Sequence, residues 1–351
     1  MTQGNTLDTQ TPPPAGPDRR RFGVGALASL FAVTAPQAQA RAGSASLDPT
    51  AWSHAWPPAD VIPLWPDVPP GRIAGFEVPV TPTGWAGGAW PAAFLRRTAM
   101  PTLNVFRPAN PTGEAMLVCP GGAYVFVSAA IEGVDVARVF NALGVTVFVL
   151  SYRLPGEGWQ DRANVPLQDA QRAMRLIRTH ARAFGIAPER VGVLGFSAGG
   201  HLAATLAVDH AEPVYQPVDS ADRQSARPAY AGLIYPVILT DGPLAHVRSR
   251  TELLGPSPSP EQAAHRSPNL RVSLATPPCF LAHAADDTTV SIDNSLAMYA
   301  ALRATKIVCE GHFFAEGQHA FGTGRADQPS ELWPQLFERW ARSTLRQVSP
   351  G

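Results

Sequence analysis

A glycine-flanked serine has the sequence context of an enzyme nucleophile. Residues 195–199 read GFSAG and fit the pattern G-x-S-x-G, in which glycines let the backbone turn sharply enough to expose a serine hydroxyl above a sheet. The mostly apolar segment RVGVLGF at 190–196 predicts a strand before the turn, and the segment SAGGHLAATLAV at 197–208 predicts a helix after it. A helix N-cap serine is the alternative. The strand-to-helix context favours Ser197 as a nucleophile.

A serine hydroxyl needs a general base, and the base needs a carboxylate that orients it. His319 lies in a glycine-bounded loop that follows the predicted strand 306–314. Asp286 and Asp287 lie in the turn that follows the predicted strand 278–284. The order serine, aspartate, histidine is that of α/β-hydrolases. The residues alone leave open which aspartate orients the base and which one caps a helix or holds the loop.

The other eight histidines lack such a loop context. His201 is expected to pack or to cap, and the rest lie in strands or on the surface. They are His54, His180, His201, His210, His246, His265, His283 and His312.

A serine nucleophile also needs preorganised N–H donors for the oxyanion that develops during attack. One donor is expected from Ala198, directly after the serine. The others are expected from the turn PGGA, in which Gly122 and Ala123 follow the predicted strand 115–120. The alternative for this segment is an ordinary turn.

The elements that must position these groups alternate along the chain. Predicted strands cover 103–108, 115–120, 145–152, 190–196, 230–238, 278–284 and 306–314. Predicted helices cover 133–144, 166–185, 197–208, 293–304 and 330–346. Such alternation predicts an α/β fold with a mostly parallel sheet covered by helices on both faces. We expect one catalytic domain over 101–351, preceded by an irregular arm over 41–100 that is rich in proline, glycine and tryptophan.

Residues 1–40 are predicted to be an export signal with a polar N-terminal extension. Three arginines precede the apolar stretch 22–35, and the small residues 38–40 have the pattern of a cleavage site. The pair Arg19-Arg20 resembles a twin-arginine signal. A membrane anchor is the alternative, but the stretch is short and broken by glycine. We therefore expect cleavage after Ala40 and a periplasmic or secreted protein that is not bound to a membrane.

Composition excludes some classes of function. The 351 residues carry no formal net charge, and 45% of them are hydrophobic. A neutral chain without a basic run outside the N-terminus argues against a nucleic-acid partner. The three cysteines, Cys119, Cys279 and Cys309, are widely spaced, which predicts packed thiols with neither a disulfide framework nor a metal site. We expect no cofactor.

The chain resembles the α/β-hydrolase superfamily, and within it the exported bacterial esterases of the acetylxylan esterase-like or xylanase-associated type. The resemblance runs from about residue 62 to about residue 342. The segments that carry it are IPLWPDVPPG, PGGAYVF, YRLPGEGW, PLQDAQRAMRLIR, GFSAGGHLAA, LIYPVI, DDTTV, NSLAMYAAL and EGQHAFG.

The resemblance implies site residues as well as a fold. The family's acid precedes a valine in D-x-x-V, which selects Asp287 before Val290, with Ser197 as nucleophile and His319 as base. Two positions depart from the family pattern: Ala123 stands where HGGG has glycine, and Gln318 stands where relatives often have glycine.

The function that the resemblance implies is hydrolysis of a short acyl ester, with acetate on a sugar such as xylan as the expected substrate. The partner would be a small-molecule or polysaccharide ester. A peptidase on the same fold and an inert carbohydrate-binding fold are the alternatives. Four tryptophans are either sugar platforms or packing residues, with packing favoured: Trp85, Trp90, Trp159 and Trp333.

Overall fold

The computed structural model describes residues 56–72 and 94–348. The predicted signal segment 1–40, much of the predicted arm, and Trp85 and Trp90 lie outside the described residues. The predicted domain boundaries therefore stay predictions. No helix in the described ranges is long and apolar enough to cross a membrane.

The described residues form an eight-stranded sheet in the order β1-β3-β6-β4-β7-β8-β9-β10 and a separate pair, β2-β5. In the part of the sheet ordered β6-β4-β7-β8-β9-β10, all neighbouring strands are parallel. Strand β3 is antiparallel to both β1 and β6. The strands are β1 (Asp60–Pro63), β2 (Phe94–Leu95), β3 (Thr102–Phe106), β4 (Ala115–Cys119), β5 (Val127–Ser128), β6 (Thr146–Ser151), β7 (Val191–Phe196), β8 (Ala231–Ile234), β9 (Cys279–Ala284) and β10 (Cys309–Phe314).

Helices connect these strands. They are α1 (Asp135–Ala142), α2 (Val165–Thr179), α3 (Ala181–Phe184), α4 (Ser197–Asp209), α5 (Val247–Leu254), α6 (Pro260–His265), α7 (Asp293–Ala304) and α8 (Trp333–Val348). A π-helical turn, Ala130–Val134, leads directly into α1.

The two faces of the sheet bury separate hydrophobic cores, because successive strand residues point to opposite sides. Leu117 pairs with Phe148 on the face covered by α2 and α4. Val118 pairs with Val149 on the face covered by α1 and α8. The central strands are therefore buried on both sides, which explains their nearly continuous apolar sequences. The predicted architecture, an α/β fold with a mostly parallel sheet and helices on both faces, is confirmed.

The structure differs from the predicted elements in several local ways. The predicted helix 166–185 is interrupted at His180 and ends where Gly185 takes a φ of +66°. Helices α5 and α6 were not predicted, because both are short and lie among loop-like residues. Ser259 and Gln262 form a reciprocal capping box at the start of α6, which is a sequence signature that could have revealed that helix.

The described part of the predicted arm is anchored to the domain by buried polar contacts. Strand β1 extends the sheet beyond β3, and the Trp65 indole donates a 2.9 Å hydrogen bond to Asp169. Asp169 also forms a fully buried ion pair with Arg153 at 2.7 Å. Leaving either charge without its partner would cost about 3–5 kcal/mol, so this cluster fixes the arm to α2.

All three cysteines have free thiols. Cys119 and Cys279 are buried as predicted, whereas Cys309 is only half-buried because β10 is the edge strand of the sheet. Burial raises the pKa of all three thiols above the ordinary value.

Candidate active site

The predicted site residues converge at the carboxyl ends of neighbouring parallel strands. Strand β4 lies between β6 and β7, so the chain crosses to opposite sides of β4, and in open α/β sheets ligands bind at such a switch point. Cys119 at the end of β4 pairs with Gly195 near the end of β7. The turn after β4 therefore lies beside Ser197, which follows β7.

Ser197 occupies a strained turn between β7 and α4. Its φ is +53°, a conformation that is unfavourable for a residue with a side chain. The flanking glycines permit the turn, because a Cβ atom on Gly199 would lie 2.1 Å from the carbonyl oxygen of Cys119 and one on Gly195 would lie 2.2 Å from the carbonyl oxygen of Gly199. The geometry is that of a nucleophile elbow, not of a helix N-cap. Phe196 occupies the N-cap position of α4, and the Ser197 hydroxyl is instead directed at Nε2 of His319.

Ser197, His319 and Asp287 form one hydrogen-bonded chain. Oγ of Ser197 lies 2.9 Å from Nε2 of His319, and Nδ1 of His319 lies 2.6 Å from Oδ2 of Asp287. Asp287 is an acceptor only, so Nδ1 carries the hydrogen and Nε2 is free to accept the serine proton. The arrangement can make the hydroxyl nucleophilic and hold the imidazolium that forms on proton transfer.

Asp287 is held in its ionised form by several donors. Burial by itself raises its pKa, but hydrogen bonds from His283, His319 and the Val290 amide outweigh burial and hold the pKa of this carboxyl well below its usual range. Oδ1 accepts from the backbone N–H groups of Thr289 and Val290 at 2.9 Å each. A carboxylate that accepts this many hydrogen bonds stays charged at neutral pH.

Asp286 has a different task from Asp287. Its Oδ1 accepts a 2.7 Å hydrogen bond from the backbone N–H of Gln318. Arg325 donates to the carbonyl oxygen of Gly317 at 2.6 Å. These contacts hold the loop that carries His319, which is one of the two roles left open for the second aspartate.

The turn after β4 presents backbone amides next to Ser197. A Cβ atom on Gly121 would lie 2.8 Å from the Cβ atom of Ser197. The Gly121 N–H donates to Glu132 at 2.7 Å and is therefore engaged. Within the described ranges, the amides of Gly122 and Ala123 have no acceptor, and the Ala198 amide lies in the first turn of α4, where no intrahelical partner exists. These are the three amides expected to bind an oxyanion, and that role stays a prediction.

The two departures from the family pattern share one backbone feature. Ala123 has a φ of +55° and Gln318 a φ of +56°. Glycine adopts these conformations without steric cost, which explains why glycine is common there in relatives. Both residues here take the same conformation at some energetic cost.

Tyr124 anchors the turn to the helix that follows the nucleophile. Nε2 of His201 faces the carbonyl oxygen of Arg266 at 2.7 Å and must donate, so Nδ1 accepts from the Tyr124 hydroxyl at 2.9 Å. Burial lowers the pKa of His201 to about 4, and the ring is neutral at neutral pH. The expectation that His201 packs or caps is confirmed as packing.

Three buried polar residues close to the site were not assigned a role from sequence. Glu132 accepts from Gly121, Tyr235 packs edge-on against the His319 ring at 5.0 Å, and His283 contacts Asp287. The signal that could have revealed Glu132 is an acidic residue inside the apolar run SAAIEGVDVA. Tyr235 and His283 carry no comparable signal, because each lies at or within a buried strand.

Trp159 and Trp333 are buried, with 5% and 0% exposure, so neither offers a surface to a sugar ring. The favoured packing interpretation is confirmed for these two tryptophans. Within the described residues, no group of three or more histidine, cysteine, aspartate or glutamate side chains could hold a metal ion.

Comparison with known proteins shows that the chain is similar to ester hydrolases. The sequence profile of the BD-FAE family matches residues 103–302. An acetylxylan esterase from Xylanibacter ruminicola is 32% identical over 242 residues, which make up 68% of this chain and 47% of that protein. Endo-1,4-beta-xylanase B from Butyrivibrio fibrisolvens is 36% identical over 206 residues, which make up 59% of this chain and 32% of that protein. The chain thus spans about half or less of the length of these relatives.

A solved structure matches most of this chain. The acetyl ester-xyloside bifunctional hydrolase from Caldicellulosiruptor lactoaceticus is 33% identical and superposes with a TM-score of 0.67, covering 81% of this chain and 96% of that one. The carboxylesterase Cest-2923 from Lactobacillus plantarum, at 24% identity and a TM-score of 0.59, shares the fold.

Proposed function

The chain belongs to the BD-FAE family of α/β-hydrolases, and on this premise we propose that it is a serine esterase that removes short acyl groups. The observation that carries the proposal is the hydrogen-bonded chain from Ser197 through His319 to Asp287, at 2.9 and 2.6 Å. The amides of Gly122 and Ala123, which have no acceptor among the described residues, support it.

The reaction proceeds in two halves. Oγ of Ser197 attacks the ester carbonyl while Nε2 of His319 takes the hydroxyl proton, and the amides of Gly122, Ala123 and Ala198 stabilise the oxyanion. The carbonyl re-forms as the alcohol leaves with the proton from His319, which gives an acyl-enzyme. Water then attacks the acyl group, again losing a proton to His319, and the acid is released as that proton returns to Ser197.

The substrate we propose is an acetyl ester on a carbohydrate such as xylan. The support comes from relatives whose names specify acetylxylan esterase, xylanase and acetyl ester-xyloside hydrolase activity. We further propose that the protein acts after export, on the strength of the arginine-led segment 19–40.

The test compares the wild type with Ser197→Ala and with the matched control Ser151→Ala, which alters another buried serine, located on β6. Hydrolysis of p-nitrophenyl acetate, of longer acyl esters and of acetylated xylan is measured, together with labelling by a fluorophosphonate. We expect preference for acetate, acetate release from xylan, and a fall in kcat on the order of 10⁶-fold only in Ser197→Ala.

Other outcomes would redirect the assignment. Labelling of the wild type without ester hydrolysis, but with cleavage of aminoacyl substrates, would favour a peptidase. A folded wild type that is neither labelled nor active would leave an inert binding fold.

A further inference from the structure

A buried carboxylate lies beneath the site without a part in the chemistry proposed above. Glu132 is 3% exposed and sits on the π-helical turn Ala130–Val134. The turn is defined by the 2.8 Å hydrogen bond from the Val134 amide to the Ala129 carbonyl, five residues back. Single π-helical turns of this kind occur frequently at functional sites.

Glu132 connects the two segments that must act on the same carbonyl. Its Oε2 accepts from the Gly121 amide at 2.7 Å, and its Oε1 accepts from the Tyr235 hydroxyl at 2.9 Å. The Tyr235 oxygen in turn accepts from the Gly322 amide at 3.1 Å. We call this Gly121–Glu132–Tyr235–Gly322 path the Glu132–Tyr235 bridge. It links the turn after β4, which contains Gly122 and Ala123 and which we call the oxyanion turn, to the loop that carries His319.

The hydrogen-bond pattern fits an ionised Glu132. Each of the three protons in the bridge then has an acceptor, whereas a protonated carboxyl would compete with the Tyr235 hydroxyl for a single contact. Burial raises the pKa of Glu132 above its ordinary value, although the Gly121 and Tyr235 hydrogen bonds and the charge of His319 oppose this effect.

Stability alone does not account for this carboxylate. Among the described residues no arginine, lysine or histidine forms a salt bridge with Glu132. A buried carboxylate is costly to desolvate, and an apolar side chain of similar volume is often at least as stable at such a position. The contacts that Glu132 makes instead fix the backbone of Gly121, next to Ser197, and the hydroxyl of Tyr235.

Tyr235 connects the bridge to the His319 ring by direct packing. Its ring packs edge-on against His319 at 5.0 Å and against Phe321 at 4.5 Å between ring centroids. The residue has a φ of +36° directly after β8, so its side chain is set by a constrained backbone. Movement of its hydroxyl would therefore be transmitted to the ring of the proposed general base.

We propose, resting on the esterase activity proposed above, that Glu132 and Tyr235 are positioning residues that hold the oxyanion turn and the histidine loop in register. Catalytic groups lose much of their effect when displaced by a fraction of an ångström to 1 Å. The bridge would thus act on the transition state and leave binding of a small ester nearly unchanged.

The experiment is a double-mutant cycle with Glu132→Gln, Tyr235→Phe and the double variant. The glutamine oxygen can still accept from Gly121, but an NH2 group replaces the oxygen that accepts from Tyr235. Both single variants therefore remove the hydrogen bond from the Tyr235 hydroxyl to the carboxylate. We expect each to lower kcat for p-nitrophenyl acetate about 10- to 100-fold, less than the 10²- to 10³-fold cost of losing an oxyanion donor. The KM should change by less than about threefold. The kcat of the double variant should be no lower than that of the less active single variant.

Rates are expressed per active site titrated with a fluorophosphonate, and thermal unfolding is recorded for each variant. Tyr230→Phe is the matched control, because Tyr230 is equally buried just before β8 and packs against Phe337 away from the bridge. Tyr235→Phe removes a single oxygen and suffices alone if Glu132→Gln reduces the folded yield.

Several results would overturn the proposal. Unchanged kcat per titrated site with only a lower Tm would assign the two residues a structural role. Multiplying losses in the double variant would show that they act separately. A wild type that is inactive and unlabelled would overturn the esterase assignment itself, whereas an active wild type with fully active variants would overturn only the bridge.

Discussion

His283 contacts the same carboxylate oxygen of Asp287 that accepts from His319. Its Nε2 lies 3.1 Å from Oδ2 of Asp287 and 3.0 Å from the carbonyl oxygen of Val290. Two acceptors face this nitrogen, so it must carry the hydrogen, and Nδ1 accepts from the Ser295 hydroxyl at 2.8 Å. The site thus contains a second histidine that supports the acid instead of the nucleophile.

Replacing His283 with phenylalanine should impair Asp287 without touching the proposed base. We expect kcat to fall about tenfold, because a hydrogen bond to a charged group is worth about 1.5–3 kcal/mol and only part of this energy acts on the transition state. Steady-state kinetics and urea unfolding measure both effects. His312→Phe is the control, since His312 is half-buried on β10 and contacts Glu310 instead. A His283 variant that loses stability while keeping kcat would restrict the residue to folding.

The neighbouring aspartates provide a matched pair of variants. Asp287→Asn should reduce kcat by about 10⁴-fold, because an amide can donate to Nδ1 and favour the wrong tautomer of His319. Asp286→Asn retains an oxygen for the Gln318 amide and should stay within about threefold of the wild type. The measurement is kcat for p-nitrophenyl acetate. Equal losses in the two variants would show that the loop, not the carboxylate, carries the effect.

The fold class and the loops that carry the candidate site residues could be predicted from the sequence, because both depend on local patterns of apolar residues and glycines. The residues GFSAG require glycine on steric grounds, and strands β4, β7 and β9 are apolar because they are buried on both faces. The structure places Ser197, Asp287 and His319 within hydrogen-bonding distance, as the predicted order of the loops required.

The supporting contacts could not be predicted in the same way. Glu132 and Tyr235 are separated by 103 residues, and the bond between them depends on how the π-helical turn orients one side chain. His283 has the sequence environment of an ordinary strand residue, and only the turn of Asp287 back towards it creates the contact. The first contact is long-range and arises from tertiary packing, whereas the second joins residues four apart and depends on the backbone of the turn after β9. Local periodicity encodes neither.

Acid should weaken the folded state through Asp287. Burial raises its pKa, but the hydrogen bonds from His283 and His319 lower it by a larger amount, so the folded-state pKa lies below the unfolded value. The unfolded chain therefore binds this proton at higher pH than the folded one. The stabilising contribution is complete above about pH 4 and is lost as the pH falls towards the folded-state pKa.

The measurement is the difference in free energy of unfolding between the wild type and Asp287→Asn, obtained with urea at about pH 6 and about pH 3. We expect the difference to shrink at the lower pH, because only the wild type loses the contribution of the carboxylate. A difference that is constant or larger in acid would contradict a depressed pKa.

Ala123 offers a test of the oxyanion turn in two opposite directions. Its φ of +55° is accessible to glycine at no steric cost, so Ala123→Gly should keep kcat within about twofold and stabilise the fold by up to about 1 kcal/mol. Ala123→Val places a β-branched residue in the same conformation, which is a severe steric conflict. The turn would shift and misalign its amides, and kcat should fall on the order of 10²-fold, as for loss of one oxyanion donor. Kinetics per titrated site and thermal unfolding distinguish the two. If the valine variant lost stability but kept its full rate, the amides of this turn would not bind the oxyanion.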